Sequence, residues 1–112
     1  MPVLTPDYSN LNPDEMAAAI GLKPKHIPML IGSFLDESKG IMESLSQAID
    51  ASDYNAIKSH AHSIKGSAGN LKFTEIYEMA KEVELAGADS NADFDYKPYV
   101  DAISAAIATI PN

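Results

Sequence analysis

The chain has 112 residues and a net charge of −8, and it contains neither cysteine nor arginine. This length fits one domain with an apolar core, so residues 1–112 are expected to form a single domain. The missing cysteines exclude disulfides and thiolate metal sites, and the negative charge disfavours nucleic acids and anionic membrane surfaces as partners. Neither a transmembrane run nor a signal-peptide pattern is visible, so we expect a cytoplasmic protein.

A short helix is predicted first, over Pro13–Ile20. Asn12 is a suitable N-cap, proline fits the first helical position, and Gly21 ends the helix. A long helix follows and ends near Ala51, and its start is either Pro24 or Ile27. It carries apolar residues at three- and four-residue spacing, which is typical of a helix with one buried face.

Three further helices with the same kind of apolar stripe are predicted after the long one. They cover about Asp53–Asn70, Thr74–Ala88 and Tyr96–Ile110, with a polar loop over Gly87–Asp95. Short connections favour antiparallel neighbours. We therefore expect an all-α protein, an antiparallel up-down-up-down four-helix bundle with an additional short N-terminal helix. Periodicity alone leaves other small all-helical folds open.

Two histidines of the third predicted helix point to different faces. At about 100° per residue, His62 lies about 140° from the centre of the apolar stripe and His60 about 60° from it. His62 is therefore expected in solvent and His60 beside the core. Helical metal ligands need a spacing of three or four residues, and His26 is distant in sequence. No metal site is expected, and His60 is interpreted as a structural residue.

The residues around His62 are lysines and glycines. Lys58 and Lys65 lie on its exposed side, within a stretch from Tyr54 to Thr74 that has no acidic residue. This stretch is either a chance feature of a solvated helix or a site that meets an anion. The apolar stripe continues past Gly66, which favours a role in leaving space beside the histidine. Gly69 either leaves space in the same way or ends the helix together with Asn70.

The segment His62-Ser63-Ile64-Lys65-Gly66-Ser67-Ala68 closely resembles the signature of histidine-containing phosphotransfer (HPt) domains. That signature is a histidine, any residue, an aliphatic residue, lysine, glycine and then small residues. The resemblance covers nearly the whole chain, because the neighbouring helices match the family's bundle. It implies that His62 accepts a phosphoryl group from a phosphoaspartate of one receiver domain and passes it to another. It also implies that Lys65 lies beside that group and that Gly66 leaves room for it.

The resemblance also implies the partners. They are response-regulator receiver domains and a hybrid sensor histidine kinase, and the receiver supplies an acidic Mg²⁺ site. No cofactor is expected on this chain. Because no glycine-rich nucleotide loop is visible, we expect a phosphocarrier without autokinase activity rather than an enzyme. We also expect a monomer, and the initiator-like Met1 with a complete bundle favours a separate protein.

One position departs from the family pattern. The family often places a glutamine on the helix after the motif, against the second nitrogen of the histidine, and the matching residue here is Glu84. A carboxylate can accept the N–H and fix the tautomer, but it can also repel phosphate. Because Glu84 belongs to an acidic helix, it is equally well interpreted as a solvated side chain.

The docking surface for a partner is expected to surround His62. Exposed edges of the second helix near Leu35 and Ser38 are expected to complete it. The candidates on the third helix are Asn55, Lys58, Ser59 and Gly69.

Three other functions are less consistent with the sequence. A helical adaptor that binds partners without carrying phosphate is disfavoured by His62 and Lys65 in register. The dimerisation and phosphoacceptor part of a sensor kinase is disfavoured by the short chain and the missing nucleotide motif. A metal-binding bundle is disfavoured by the helical spacing of the histidines.

Overall fold

A computed structural model describes residues 3–111, which form five α-helices, one 3₁₀ turn over Pro24–His26 and no strand. The all-helical prediction is therefore confirmed for this part of the chain. None of these helices is both long enough and apolar enough to cross a membrane. The helices are α1 (Pro13–Ile20), α2 (Ile27–Asp50), α3 (Tyr54–Asn70), α4 (Thr74–Ala88) and α5 (Tyr96–Ala108).

Two of the helices, α1 and α3, begin at a side chain that caps them. The Asn12 side chain accepts hydrogen bonds from the backbone N–H groups of Asp14 and Glu15 at the start of α1. Asp53 caps α3 by accepting from the N–H of Ala56. These bonds satisfy backbone donors that a first helical turn leaves unpaired. The start of α2 is Ile27, because the preceding residues from Pro24 form the 3₁₀ turn.

α3 ends at Asn70, as predicted, but Gly69 and Asn70 do not reverse the chain, which was one of the two interpretations of Gly69. The helix continues through Asn70, and the reversal is made by Lys72, whose φ is 62°. The N–H of Phe73 donates to the carbonyl of Ala68 over 2.9 Å, which is the hydrogen bond of a Schellman motif. Lysine in the left-handed region gives no signal in the sequence, since glycine is the usual residue there.

The four long helices contact one another in a ring, α2 with α3, α3 with α4, α4 with α5 and α5 with α2. The predicted apolar stripes point into this ring. Burial of each large apolar side chain contributes roughly 1.5–3 kcal/mol, so the core fixes how each helix is rotated. Its fully buried large side chains include Ile27, Leu45, Ile57, Ile64, Phe73, Ile76, Met79, Val83 and Ile103.

The packing of α4 on α3 is close at one point. A Cβ atom at Gly87 would lie 3.0 Å from Cγ2 of Ile57 and 3.0 Å from the backbone nitrogen of Lys58. At the other end of the pair, a Cβ at Gly69 would lie 3.1 Å from the ring of Tyr77. The two helices therefore run antiparallel, and this register brings the middle of α4 beside the middle of α3.

Residues 3–12 pack against the end of the helices where α4 begins. The hydroxyl of Tyr8 donates to Oε1 of Glu75 over 2.9 Å, and its N–H donates to Oγ1 of Thr109 over 2.9 Å. Its ring lies 4.8 Å, centroid to centroid, from the ring of Phe73. Burial and the neighbouring Glu75 raise the pKa of the Tyr8 phenol. These contacts have no signal in the sequence.

Candidate functional site

His62 lies in the middle of α3, and its side chain is 67% exposed. His60, two residues earlier, is half-buried. Both positions agree with the helical geometry predicted from the apolar stripe. The stripe directs Ile57 and Ile64 into the core, and the 100° step per residue then turns His62 outward.

The carboxylate of Glu84 on α4 bridges two side chains of α3. Its Oε2 atom lies 2.6 Å from Nδ1 of His62, and its Oε1 atom lies 2.6 Å from Nζ of Lys65. The Glu84 side chain is only 14% exposed and that of Lys65 22% exposed. The interpretation of Glu84 as a solvated glutamate is therefore wrong, because both of its oxygens are engaged.

The contact between Glu84 and Lys65 favours the charged form of both side chains. Partial burial acts to raise the pKa of Glu84, but the hydrogen bonds from Lys65 and His62 outweigh it and hold the pKa below its usual value. The hydrogen bond to Glu84 raises the pKa of Lys65, against the opposing effect of burial. At neutral pH the site therefore contains one carboxylate and one ammonium group in direct contact.

The contact with Glu84 also assigns the tautomer of His62. A carboxylate accepts but does not donate, so the hydrogen-bond network places a proton on Nδ1. Neutral imidazole then has its lone pair on Nε2. Within residues 3–111, Nε2 has no hydrogen-bond partner. The exposed nitrogen is thus the nucleophilic one.

A shallow depression open to solvent lies around the ring of His62. It is lined by Lys58, Ser59, His62, Ser63 and Glu84. Ser63 donates from its hydroxyl to the carbonyl of Ser59 over 3.2 Å. Asn55, the remaining candidate on this helix, is exposed one turn before Ser59. Small polar side chains therefore predominate on the accessible face of α3.

The two glycines that follow His62 have different surroundings. A Cβ atom built at Gly66 would meet nothing within 4 Å, so its position is open space on the exposed face. At Gly69 the corresponding space is filled by Tyr77. Gly66 leaves a surface that a partner can approach closely, whereas Gly69 accommodates the packing of α4 on α3.

The prediction that Ser38 of the second helix helps to complete the docking surface is wrong. This residue is only 2% exposed, and its hydroxyl donates to the carbonyl of Leu35. Both residues line a groove between α2 and α5 instead. Two neighbours of the site were missed. Glu37 of α2 accepts a hydrogen bond from Ser67 over 3.3 Å, and Leu85, next to Glu84, is 51% exposed.

Metal-ligating side chains do not cluster in the described part of the chain. Among residues 3–111, no group of three or more His, Cys, Asp or Glu side chains could hold a metal ion. His26 lies in the 3₁₀ turn, and His60 and His62 lie on α3.

Comparison with known families identifies the class of protein. A family model described as the Hpt domain matches residues 29–110, which is more than half of the chain. The chain therefore belongs to the Hpt domain family, whose members are phosphocarriers that interact with receiver domains and kinases in two-component signalling. The search of curated proteins found no match, and the search of solved structures found none either.

Proposed function

We propose that this chain is a phosphorelay intermediate that carries a phosphoryl group on His62. The group arrives from a phosphoaspartate of a receiver domain, such as that of a hybrid sensor histidine kinase, and leaves to an aspartate of a response regulator. The observation that carries this proposal is the exposed His62 ring, held at Nδ1 by Glu84 at 2.6 Å. That contact leaves Nε2 as the free nucleophile.

The proposed step balances as a direct displacement. The lone pair of Nε2 attacks the phosphorus of the aspartyl phosphate, the N–P bond forms, and the P–O bond to the aspartate breaks. The departing carboxylate takes the bonding electron pair, and the proton on Nδ1 stays in the hydrogen bond to Glu84. The ring thereby becomes cationic, and the adjacent carboxylate stabilises that charge. The reverse step returns the phosphoryl group to a second receiver.

Lys65 and Gly66 complete the proposed site. Phosphoryl transfer depends mainly on positioning and charge stabilisation. An ammonium group at Lys65 supplies part of that charge, although Glu84 already engages it at 2.6 Å. The open space at Gly66 lets the phosphoryl group and the partner approach. The partner docks on the face that carries Asn55, Lys58 and Ser59, with Gly69 at its edge.

We propose that the Mg²⁺ needed for transfer is bound by the receiver domain and that this chain contributes the histidine. The acidic groups nearest His62 do not suit a metal, since the Glu84 carboxylate is occupied by His62 and Lys65. We further propose that the chain acts as a monomeric phosphocarrier and does not phosphorylate itself from ATP.

We also propose that α2 to α5 form an antiparallel up-down-up-down bundle. The order of contacts supports this topology. Residues 46–50 of α2 line a depression with residues 97–101 of α5, and residues 35–46 line a groove with residues 104–108. Neighbouring positions therefore run in opposite directions along the two helices, as they do in the α3–α4 pair.

The test is label transfer from a phosphorylated receiver domain in the presence of Mg²⁺. We expect wild type to acquire an acid-labile, base-stable label and His62→Gln to acquire none. His60→Gln is the matched control, because it removes a half-buried histidine of the same helix, and it should be labelled like wild type. Equal labelling of wild type and His62→Gln would contradict the proposal. No labelling of wild type by any receiver would favour an adaptor that carries no phosphate.

A further inference from the structure

The two lysines nearest His62 differ in availability. Lys65 contacts Oε1 of Glu84 at 2.6 Å, and its side chain is 22% exposed. Lys58 is exposed and has no carboxylate within salt-bridge distance among residues 3–111. An anion that reaches His62 therefore finds one ammonium group already paired and one unpaired.

Lys58 is also correctly placed to meet such an anion. It precedes His62 by four residues on α3, so the two side chains lie about one turn apart on the same side, with their Cβ atoms roughly 6 Å from each other. Lys58 and His62 line the same open depression. The side chain of lysine is long and flexible, and its three N–H donors can follow a group that forms on the ring.

The charge balance of the site calls for a second cation. Before transfer, the charges of Glu84 and Lys65 offset each other, and the form of His62 that has a lone pair on Nε2 carries no charge. A phosphoryl group brings close to two negative charges, and the ring, which becomes cationic on transfer, offsets only one of them. The α3 sequence contains no acidic residue, so Lys58 is not diverted by a neighbour on its own helix.

We propose that Lys58 is the residue that contacts the phosphoryl group on His62, while Lys65 chiefly holds Glu84 in position. This inference deepens the proposed function and rests on it. Lys58 supplies the mobile countercharge during arrival and departure of the group, and the Glu84–Lys65 pair keeps the ring oriented. Lys58 thus serves both as a docking residue for the partner and as a contact for the phosphoryl group.

The first test uses the full chain and phosphoramidate, a small anionic phosphoryl donor that reacts with histidine directly. Lys58→Gln should reduce the rate of His62 phosphorylation about tenfold at low salt, with a smaller reduction at high salt because exposed charges are screened. Lys58→Arg should restore most of the rate. Lys97→Gln, which removes an exposed lysine on α5, is the matched control and should react like wild type.

A second measurement separates the two lysines. The ¹⁵N chemical shifts of the His62 ring report its tautomer, which Lys58→Gln should leave unchanged and Lys65→Gln should alter through the loosened Glu84. Lys58→Gln with the rate and salt dependence of wild type would overturn this inference alone. Failure of Lys58→Arg to restore the rate would also overturn it. An unlabelled wild type would instead overturn the proposed function, and this inference with it.

Discussion

At the level of single residues, the identity of residue 84 determines how the histidine is held. A glutamate here accepts from Nδ1 of His62 with one oxygen and from Lys65 with the other. A glutamine, the residue that the family often has, offers one acceptor oxygen and no negative charge. The carboxylate therefore adds a countercharge for the ring to the tautomer control that an amide also provides.

Two substitutions at this position separate those contributions. Glu84→Gln should keep the Nδ1–H tautomer of His62, because the amide oxygen still accepts, whereas Glu84→Ala should lose it. We expect Glu84→Ala to slow transfer from a phosphorylated receiver about tenfold relative to Glu84→Gln. The measurements are ¹⁵N shifts of the ring and single-turnover transfer. Identical tautomer populations in the two variants would contradict the assignment.

The contacts of Glu84 with His62 and Lys65 predict that the stability of the fold depends on pH. The pKa of Glu84 is lower in the folded chain than its usual value of 4.5. Its charge therefore stabilises the fold above pH 4.5, and this contribution disappears as the pH falls through the lowered value. Wild type should exceed Glu84→Gln by about 1 kcal/mol at pH 7, a modest figure because the pair is partly solvated. Urea denaturation at a series of pH values from 7 downward measures the difference, and a gap that does not shrink as the pH falls below 4.5 would refute this account.

Gly66 and Gly40 form a matched pair for testing the role of open space. Both lie inside helices, and a Cβ at either position would meet nothing within 4 Å. Alanine should therefore stabilise the chain by roughly 0.5–1 kcal/mol at each site. Only Gly66→Ala should slow transfer from a receiver, since Gly66 follows His62 by one turn on α3 whereas Gly40 lies on α2. Equal transfer rates in Gly66→Ala and Gly40→Ala would show that the space is not used.

At the level of the helices, the register between α3 and α4 positions the site. The contact of Gly87 with the backbone of Lys58 fixes how far α4 slides along α3. That register in turn places Glu84 against His62, because residue 84 lies one turn from residue 87. The packing at Gly87 thus determines the distance between Glu84 and His62.

Replacement of Gly87 tests this coupling. Its Cβ would lie 3.0 Å from both Ile57 and a backbone nitrogen, and backbone cannot move aside as a side chain can. Gly87→Ala should therefore destabilise the chain by about 1–3 kcal/mol and shift the His62 ring resonances. Chemical denaturation and NMR provide the two readouts. A variant as stable as wild type with unchanged ring shifts would contradict the proposed coupling.

At the level of the whole molecule, the N-terminal segment lies outside the region that matches the family. Residues 3–12 pack against the end of the helices through Tyr8, Phe73 and Thr109, whereas the family match begins at residue 29. The hydrogen bond from Tyr8 to Glu75 joins this segment to the first turn of α4. We therefore expect its contacts to affect stability rather than the chemistry of His62.

Two variants at Tyr8 test this division. Tyr8→Ala removes a half-buried ring that packs against Phe73 at a tilt of 56° and should destabilise the chain by about 2 kcal/mol. Tyr8→Phe loses only a hydrogen bond and should cost about 1 kcal/mol or less. Thermal denaturation measures both, and transfer to His62 should remain at the wild-type rate below the melting temperature. A slow but fully folded Tyr8→Phe would link the segment to function.

The sequence by itself determined the helices and the exposure of His62, because both follow from local periodicity. Apolar spacing predicts which face of α3 is buried, and the fixed turn of the helix then places His62 in solvent. The motif from His62 to Ala68 predicted the family as well. The start of α3 also follows from a local capping residue, Asp53.

Only the tertiary structure decided the contacts between helices, because they depend on how far one helix slides along another. Periodicity gives the face of α4 on which Glu84 lies but not its distance from His62 and Lys65. For the same reason, the burial of Ser38 and the filling of the space at Gly69 by Tyr77 were not predicted. The reversal at Lys72 was missed because tertiary packing of Phe73 and Leu71 overrides the local preference for glycine.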